Sequence, residues 1–507
     1  KILPYSFFFK KKFIKMHLII QLVSLGIIFF VASKLLRRNQ ELKLNEPPLV
    51  PYKYPIIGHT FDYYKDTEKF LNKCTKEYGE IFSLYIFGKI ETFVGCQLAP
   101  EVFKNDRDFN FDVAFKEKFP LERFMNRPDK YFVPLPRILF TYLSQEIPLY
   151  TERVQRTLIK AINELIGDGT VLQPPLKTFQ LIIARPIAAS LVGEELSEDK
   201  ELVNSVAYAA SDFIPFLSIP PVLDFIHPLL HQKFVILLFR LFNNPFKVHR
   251  QVIKQKISPE VKKRTSEMKR DGESYVPPID ILQKLIEQFI EDDYSIDYDV
   301  ITDYIVTAIF AATHTTSTFL TNALHQYANH PEIHEELLAE QERLYETKKE
   351  PYYSAEQIDT LVKLDSFFRE TLRLTTSIVF FEHKVLSPQY TFSNGHQVPQ
   401  DRHVTTRLQE VHRDEESNGE NPNEFKLLRH IGSPAPRVEK HYLAFSFGKH
   451  ACPGRYFAAN EIKNALHYLL LKYNIKNVNG EIAEPPIRGP FKRSSDVGLV
   501  FEKRKDI

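Results

Sequence analysis

Cys452 lies in the run FSFGKHACPG (residues 445–454), and an apolar helical period begins directly after it, over residues 455–473. A thiolate at that place is an anionic sulfur ligand. The first N–H groups of the following helix, and its positive end, would stabilise the charge. Gly448 and Gly454 carry no Cβ and would let the backbone approach a flat ligand closely, with Phe445 beside it as an apolar lid. A second reactive set lies upstream in FAATHTTS (residues 310–317), the middle of one long helical pattern over residues 297–329 that Pro331 ends. In such a helix the Thr315 hydroxyl can bond back to an i−4 carbonyl or turn towards a ligand or water. His314 beside it could relay protons near neutral pH, or could be a plain core histidine. A third set is Glu370 and Arg373 in FFRETLR, spaced to share one helix face as a charge pair.

These groups need a large scaffold, and 43% hydrophobic residues with 41 Phe in 507 positions supply its core. A net charge of +2 gives no reason to expect a nucleic-acid partner. The three cysteines, Cys74, Cys96 and Cys452, form no disulfide framework and suit a reducing compartment. Cys74 and Cys96 read as ordinary packed thiols. No glycine-rich strand–helix turn of the dinucleotide type is present, so no nicotinamide site is expected.

Residues 18–33 are apolar and flanked by Lys15, Lys34, Arg37 and Arg38. Sixteen helical residues rise about 24 Å, which snorkelling lysines can extend across a bilayer, so residues 1–46 are expected to be a membrane anchor with a basic flank. A cleaved signal peptide is the alternative. If Met16 is the start, the strong charge is C-terminal and places the main body in the cytosol. The proline-rich PPLVPYKYP (residues 47–55) then forms a stiff connector to the body, residues 47–507.

Residues 82–94, with Gly88 and Lys89 in the middle, read as a hairpin. Residues 106–145 read as an irregular Phe- and Pro-rich loop, and residues 147–166 and 176–192 as helices. Residues 203–246 are apolar and broken by prolines, either a membrane-dipping surface or plain core helices. Residues 258–278 are polar and read as a solvated connection.

The cysteine run resembles the haem-binding loop of the cytochrome P450 family, F-x-x-G-x-[HR]-x-C-x-G, at every fixed position. FAATHTTS resembles the family's oxygen-binding helix, with Ala312 for the usual glycine and His314 for the usual acid. Sterol demethylases and fungal diterpene oxidases of the family share that histidine. The resemblance implies a mainly α fold with a smaller β part, a haem (iron protoporphyrin IX) held by Cys452, and Thr315 and His314 in proton delivery to dioxygen. It implies that Glu370 and Arg373 are joined by Arg429 of PNEFKLLR (residues 422–429) in a structural network. His450 takes the loop's [HR] place beside a haem propionate. A strand over residues 377–384 would bring His383 or Lys384 to a propionate, and Arg137 is the candidate where the family often has Trp.

The implied activity is monooxygenation of an apolar terpenoid, sterol-like or long-chain substrate, as in fungal ent-kaurene and indole-diterpene oxidases. Electrons would come from NADPH–cytochrome P450 reductase at the endoplasmic reticulum membrane, docking on Lys440, Lys449, Arg455 and Lys463. A haem-thiolate isomerase or dehydratase, and a non-catalytic haem or sterol binder, remain as alternatives.

Overall fold

The computed structural model describes residues 44–118, 134–217, 219–242, 244–347, 351–376, 380–488 and 491–505. The expected anchor at residues 18–33 lies outside the described residues. Among those described, no helix is long and apolar enough to cross a membrane.

The longer helices are numbered α1 (Ile147–Leu165), α2 (Pro175–Val192), α3 (Lys200–Leu217), α4 (Leu230–Leu241), α5 (Pro245–Asp271), α6 (Tyr298–Asn329), α7 (Val362–Thr375) and α8 (Arg455–Lys472). α6 is the axis of the fold, in contact with α2, α3, α5, α7 and α8. It starts where the Asp297 side chain accepts from the N–H groups of Asp299 and Val300, and it stops before Pro331. Ile301, Ile305, Leu320 and Leu324 on it are fully buried, which gives the axis its core faces. α1 packs against α2 and α8, closing the helical layer.

The β part is smaller. Strands β1 (Ile81–Ile86), β2 (Lys89–Val94), β3 (Phe109–Asn110), β5 (Phe380–Val385) and β8 (His403–Thr406) form one sheet in the order β1-β2-β8-β5-β3. β4 (Gly169–Leu172), β9 (Tyr473–Asn477) and β12 (Leu499–Lys503) form a second, in the order β4-β12-β9. The remaining strands pair as β6 (Gln389–Thr391) with β7 (Gln397–Pro399), and β10 (Ile487–Arg488) with β11 (Phe491–Lys492). The expected hairpin is β1–β2, turned by Phe87 and Gly88, both at positive φ (46° and 76°). Two such residues in sequence give a turn whose twist matches its strands.

Two expectations are corrected. The solvated connection expected over residues 258–278 is helical up to Asp271, where α5 ends with Pro259 inside it, and only residues 272–278 form a connection. The polar face of α5 is solvated, while Ile253, Ile257, Val261 and Arg264 form one buried stripe. Arg264 is held there by Asp280 in a two-pronged pair at 2.7 and 2.8 Å. Of the expected loop over residues 106–145, the parts at 106–118 and 134–145 hold β3, a helix at Phe111–Lys118, another at Leu135–Leu139 and a π-turn at Phe140–Ser144, while residues 119–133 lie outside the described residues. The expected strand over residues 377–384 is described from Phe380, as β5.

Candidate active site

The Cys452 backbone N–H donates to the Phe445 carbonyl at 2.8 Å, which closes the cysteine loop on itself. Ser446 and Gly448 turn that loop with φ of 64° and 72°. A Cβ on Gly448 would come within 2.6 Å of the Phe103 carbonyl oxygen. The glycine is therefore required by its backbone conformation and by a close protein neighbour, a second reason beside the expected approach to a flat ligand. Gly454 differs, because a Cβ there would meet no protein atom within 4 Å.

Cys452 precedes α8, as its sequence period requires. Burial pushes its thiol up, and the N–H groups of Gly454 and Arg455 with the Arg455 guanidinium offset part of that shift. Those are the donors expected to favour an anionic sulfur. Arg455 is itself bound inward, donating to the Cys452 carbonyl at 2.8 Å, with its guanidinium over the rings of Phe140 and Tyr456. The π-turn braces the loop from the other side, where Ser144 Oγ donates to the Pro453 carbonyl at 2.5 Å.

On α6, Ala311 and Thr315 are accessible, whereas Thr313, Thr316 and Ser317 are buried. One turn separates the accessible pair, so they share a face. Thr315 Oγ1 donates back to Ala311 O (2.8 Å) and lies 3.1 Å from Ala312 O. His314 points elsewhere. Its Nδ1 is 3.4 Å from Gln180 Nε2 on α2 and 3.3 Å from Ser211 Oγ on α3. Burial, then the charge of Arg493, pushes its pKa down to about 4. That burial and these two partners are the surroundings of the core-histidine alternative, while a role in proton delivery stays a proposal.

Glu370 is fully buried, and Arg373 holds it through Nε–Oε2 (2.7 Å) and Nη2–Oε1 (2.8 Å). Arg429 Nε adds a bond to Oε1 at 3.0 Å. The three residues expected to meet do meet. Two further donors were not foreseen, the Lys426 N–H at 3.1 Å and His430 Nε2 at 2.9 Å. His430 directly follows Arg429, so adjacency was the available signal. Burial alone would raise the carboxyl, but Arg373 and His430 outweigh it and hold it at about 2.

Of the propionate candidates, His383 and His450 both pack against the Phe111 ring, at 5.8 and 5.5 Å between ring centroids. His450 Nε2 meets Asp106 Oδ1 at 2.5 Å, and Lys449 pairs with the other oxygen at 2.7 Å. His383 is buried, with Nδ1 2.9 Å from Phe381 O, and burial pushes it down to about 4. Lys384 pairs with Glu117 at 2.7 Å and Asp401 at 3.0 Å, and Arg137 is exposed on the Leu135–Leu139 helix. The basic patch is also reduced. Lys463 is buried between Asp359 (2.6 Å) and Asp365 (3.3 Å), so only Lys440 and Lys449 of the four remain exposed.

The family profile described as Cytochrome P450 matches residues 47–494. The chain belongs to the cytochrome P450 family. That family is a class of haem-thiolate oxidoreductases. Among relatives, cytochrome P450 monooxygenase 151 of Postia placenta is 25% identical over 479 residues, covering 88% of this chain and 91% of its own. Cytochrome P450 monooxygenase 71 of the same organism is 32% identical over 235 residues, covering 44% of this chain and 46% of its own. The solved structure of the retinoic-acid-bound cyanobacterial CYP120A1 shares the fold at TM-score 0.69 and 17% identity, covering 91% of this chain and all of that one. In this P450 the residues fit haem. The N–H groups of Gly454 and Arg455 favour the anionic form of Cys452, a Cβ at Gly454 would meet open space, and Ala311 and Thr315 offer an accessible face on a helix that α8 touches.

Proposed function

We propose that this P450 is a membrane-attached monooxygenase of apolar terpenoid, sterol-like or long-chain substrates, fed with electrons by NADPH–cytochrome P450 reductase. The observation that carries the reading is Thr315, accessible on α6 with its hydroxyl already placed to donate to Ala311 O. Haem supplies the reductive activation of dioxygen, and the Cys452 thiolate tunes it by donating electron density. Thr315 holds or passes a proton at Oγ1, because its hydroxyl can leave the Ala311 carbonyl at the cost of one hydrogen bond. Ala311, with only a methyl group, leaves room beside that hydroxyl. His314, neutral and tied to Gln180 and Ser211, positions this stretch of α6 and can take a proton only transiently.

An apolar substrate and a membrane source are supported by one surface. Val222, Ile226, Phe234, Leu237 and Leu241 are exposed together on α4 and the segment before it. Phe225 in that segment packs on Phe87 at 5.4 Å, and the Phe87 N–H donates to Thr60 Oγ1 at 3.0 Å. Exposed Ile56 and Phe61 therefore adjoin the same region. Such an area on a folded chain marks an interaction site. Lying on a membrane at this face, the cytosolic domain would take substrate from the bilayer of the endoplasmic reticulum. Exposed Lys440 and Lys449 are the groups proposed to meet the reductase.

Haem-loaded protein incubated with the reductase, NADPH and a panel of terpenoids, sterols and fatty acids tests the proposal. Oxygenated product that requires both NADPH and dioxygen is the expected result. Product formed without NADPH would favour the isomerase or dehydratase reading, and substrate-induced spectral shifts without product would favour a binder.

A further inference from the structure

Three potential metal ligands from distant parts of the chain meet outside the haem-binding region. Cys96 follows β2, Asp414 caps the short helix Glu415–Asn418, and His441 stands just ahead of the cysteine loop. Cys96 Sγ lies 3.4 Å from His441 Nδ1, and one ligand atom from each of the three residues lies within 4.8 Å of the others. We infer that Cys96, Asp414 and His441 form a zinc site that fastens the approach to the cysteine loop.

The donor spacing fits such an ion. Zinc takes sulfur at about 2.3 Å and nitrogen or oxygen at about 2.0–2.2 Å, so tetrahedral donors stand roughly 3.3–3.6 Å apart. The sulfur–nitrogen pair already has that separation, and only the carboxylate has to close in. Asp414 is set for this, since its Oδ2 accepts from the Ser417 N–H (2.9 Å) and Oγ–H (2.5 Å). That fixes the carboxylate and leaves Oδ1 as the donor. The three side chains line one cavity of about 750 Å³ together with Glu80 and Glu410, which gives an ion room for a water as fourth ligand. A mix of thiolate, imidazole and one carboxylate selects zinc over magnesium or calcium, which prefer all-oxygen shells.

The mechanical consequence follows from the neighbours. His441 precedes Leu443, whose N–H donates to His412 Nε2 at 2.9 Å, and Cys96 shares a buried cluster with Phe103, Leu408 and Leu443. An ion joining Cys96, Asp414 and His441 would cross-link the exit of β2, the segment after β8 and the entry to the loop that presents Cys452. The competing reading is a plain thiol–imidazole hydrogen bond beside a helix-capping aspartate.

Haem-loaded full-length protein is equilibrated with zinc sulfate, freed of excess metal and assayed for zinc per haem. One zinc per haem is expected. Cys96→Ser and His441→Gln should weaken binding roughly 100-fold or more and Asp414→Asn at least about tenfold, with Cys74→Ser unchanged. Cobalt(II) titration of the unaltered protein needs no variant and reads the same site, giving intense thiolate-to-metal absorption with a tetrahedral pattern. Absence of zinc from the unaltered protein, its retention by both Cys96→Ser and His441→Gln, or only weak octahedral cobalt absorption would overturn the inference.

Discussion

His430 Nε2 lies 2.9 Å from Glu370 Oε2, the same carboxylate oxygen that Arg373 Nε reaches at 2.7 Å. Glu370 thus sits in a cage of Arg373, Arg429, His430 and one backbone N–H, fully removed from solvent. Arg373 also donates to the carbonyls of His412 and Pro422, both at 2.6 Å. One buried carboxylate therefore ties α7 to two later loops that precede the cysteine loop.

Glu370→Gln leaves Arg373 buried and unpaired and should destabilise the protein by about 3–5 kcal/mol, read by urea unfolding. His430→Ala should cost less, about 1–3 kcal/mol, and His430→Gln should recover part of it, because an amide can still donate. The acid limb follows in sign. Glu370 is held at about 2, below its ordinary value of 4.5. Its contribution is complete above pH 4.5 and is lost as pH falls through about 2. A Glu370→Gln protein whose stability matches the unaltered one would refute the cage.

Thr315 and His314 should separate by readout. Thr315→Ala should keep haem and NADPH consumption, with product reduced roughly 10–100-fold and hydrogen peroxide increased, the scale of one lost charge-assisted hydrogen bond. Thr315→Ser should lie between. His314 is pushed down to about 4, so no step in turnover near pH 6.5 should trace to it. His314→Gln should keep coupling within about threefold, because an amide can replace the links to Gln180 and Ser211. A turnover midpoint near pH 6.5 that disappears in His314→Gln would contradict its burial.

An alkaline limb should come from His403. Its ring bridges two carboxylates, Glu382 at Nδ1 and Glu117 at Nε2 (2.9 Å), and Glu382 also pairs with Lys118. Burial alone would lower His403, but the charge of Glu382 and hydrogen bonds to Glu117 and Glu382 lift it to about 9. The sign is opposite to that of Glu370. The stabilisation is complete below pH 6.5 and is lost as pH rises through about 9, up to ~3 kcal/mol in all. His403→Gln should flatten thermal stability across that window. An unchanged profile would show that the cluster carries no net stability.

The cysteine loop, the threonine of α6 and the glutamate–arginine pair of α7 were legible in the sequence because each depends on short spacing. A turn before a helix, an i−4 hydroxyl bond and an i,i+3 pair are set by backbone geometry within a few residues. The hairpin at Phe87 and Gly88 and the long period of α6 were readable for the same reason. Side-chain partners were not. The Asp106 partner of His450 lies 344 residues away in sequence. Lys463, assigned to the docking face, is buried between two aspartates because this stretch of α8, Ala459 to His467, is enclosed on all sides. His403 gains its charge only where β5 and β8 pair and carry Glu382 beside it. The sequence determined which groups exist and which local backbone presents them. Whether a charge faces water, a counter-charge or the interior was decided by tertiary packing, since burial and distant partners set its energy.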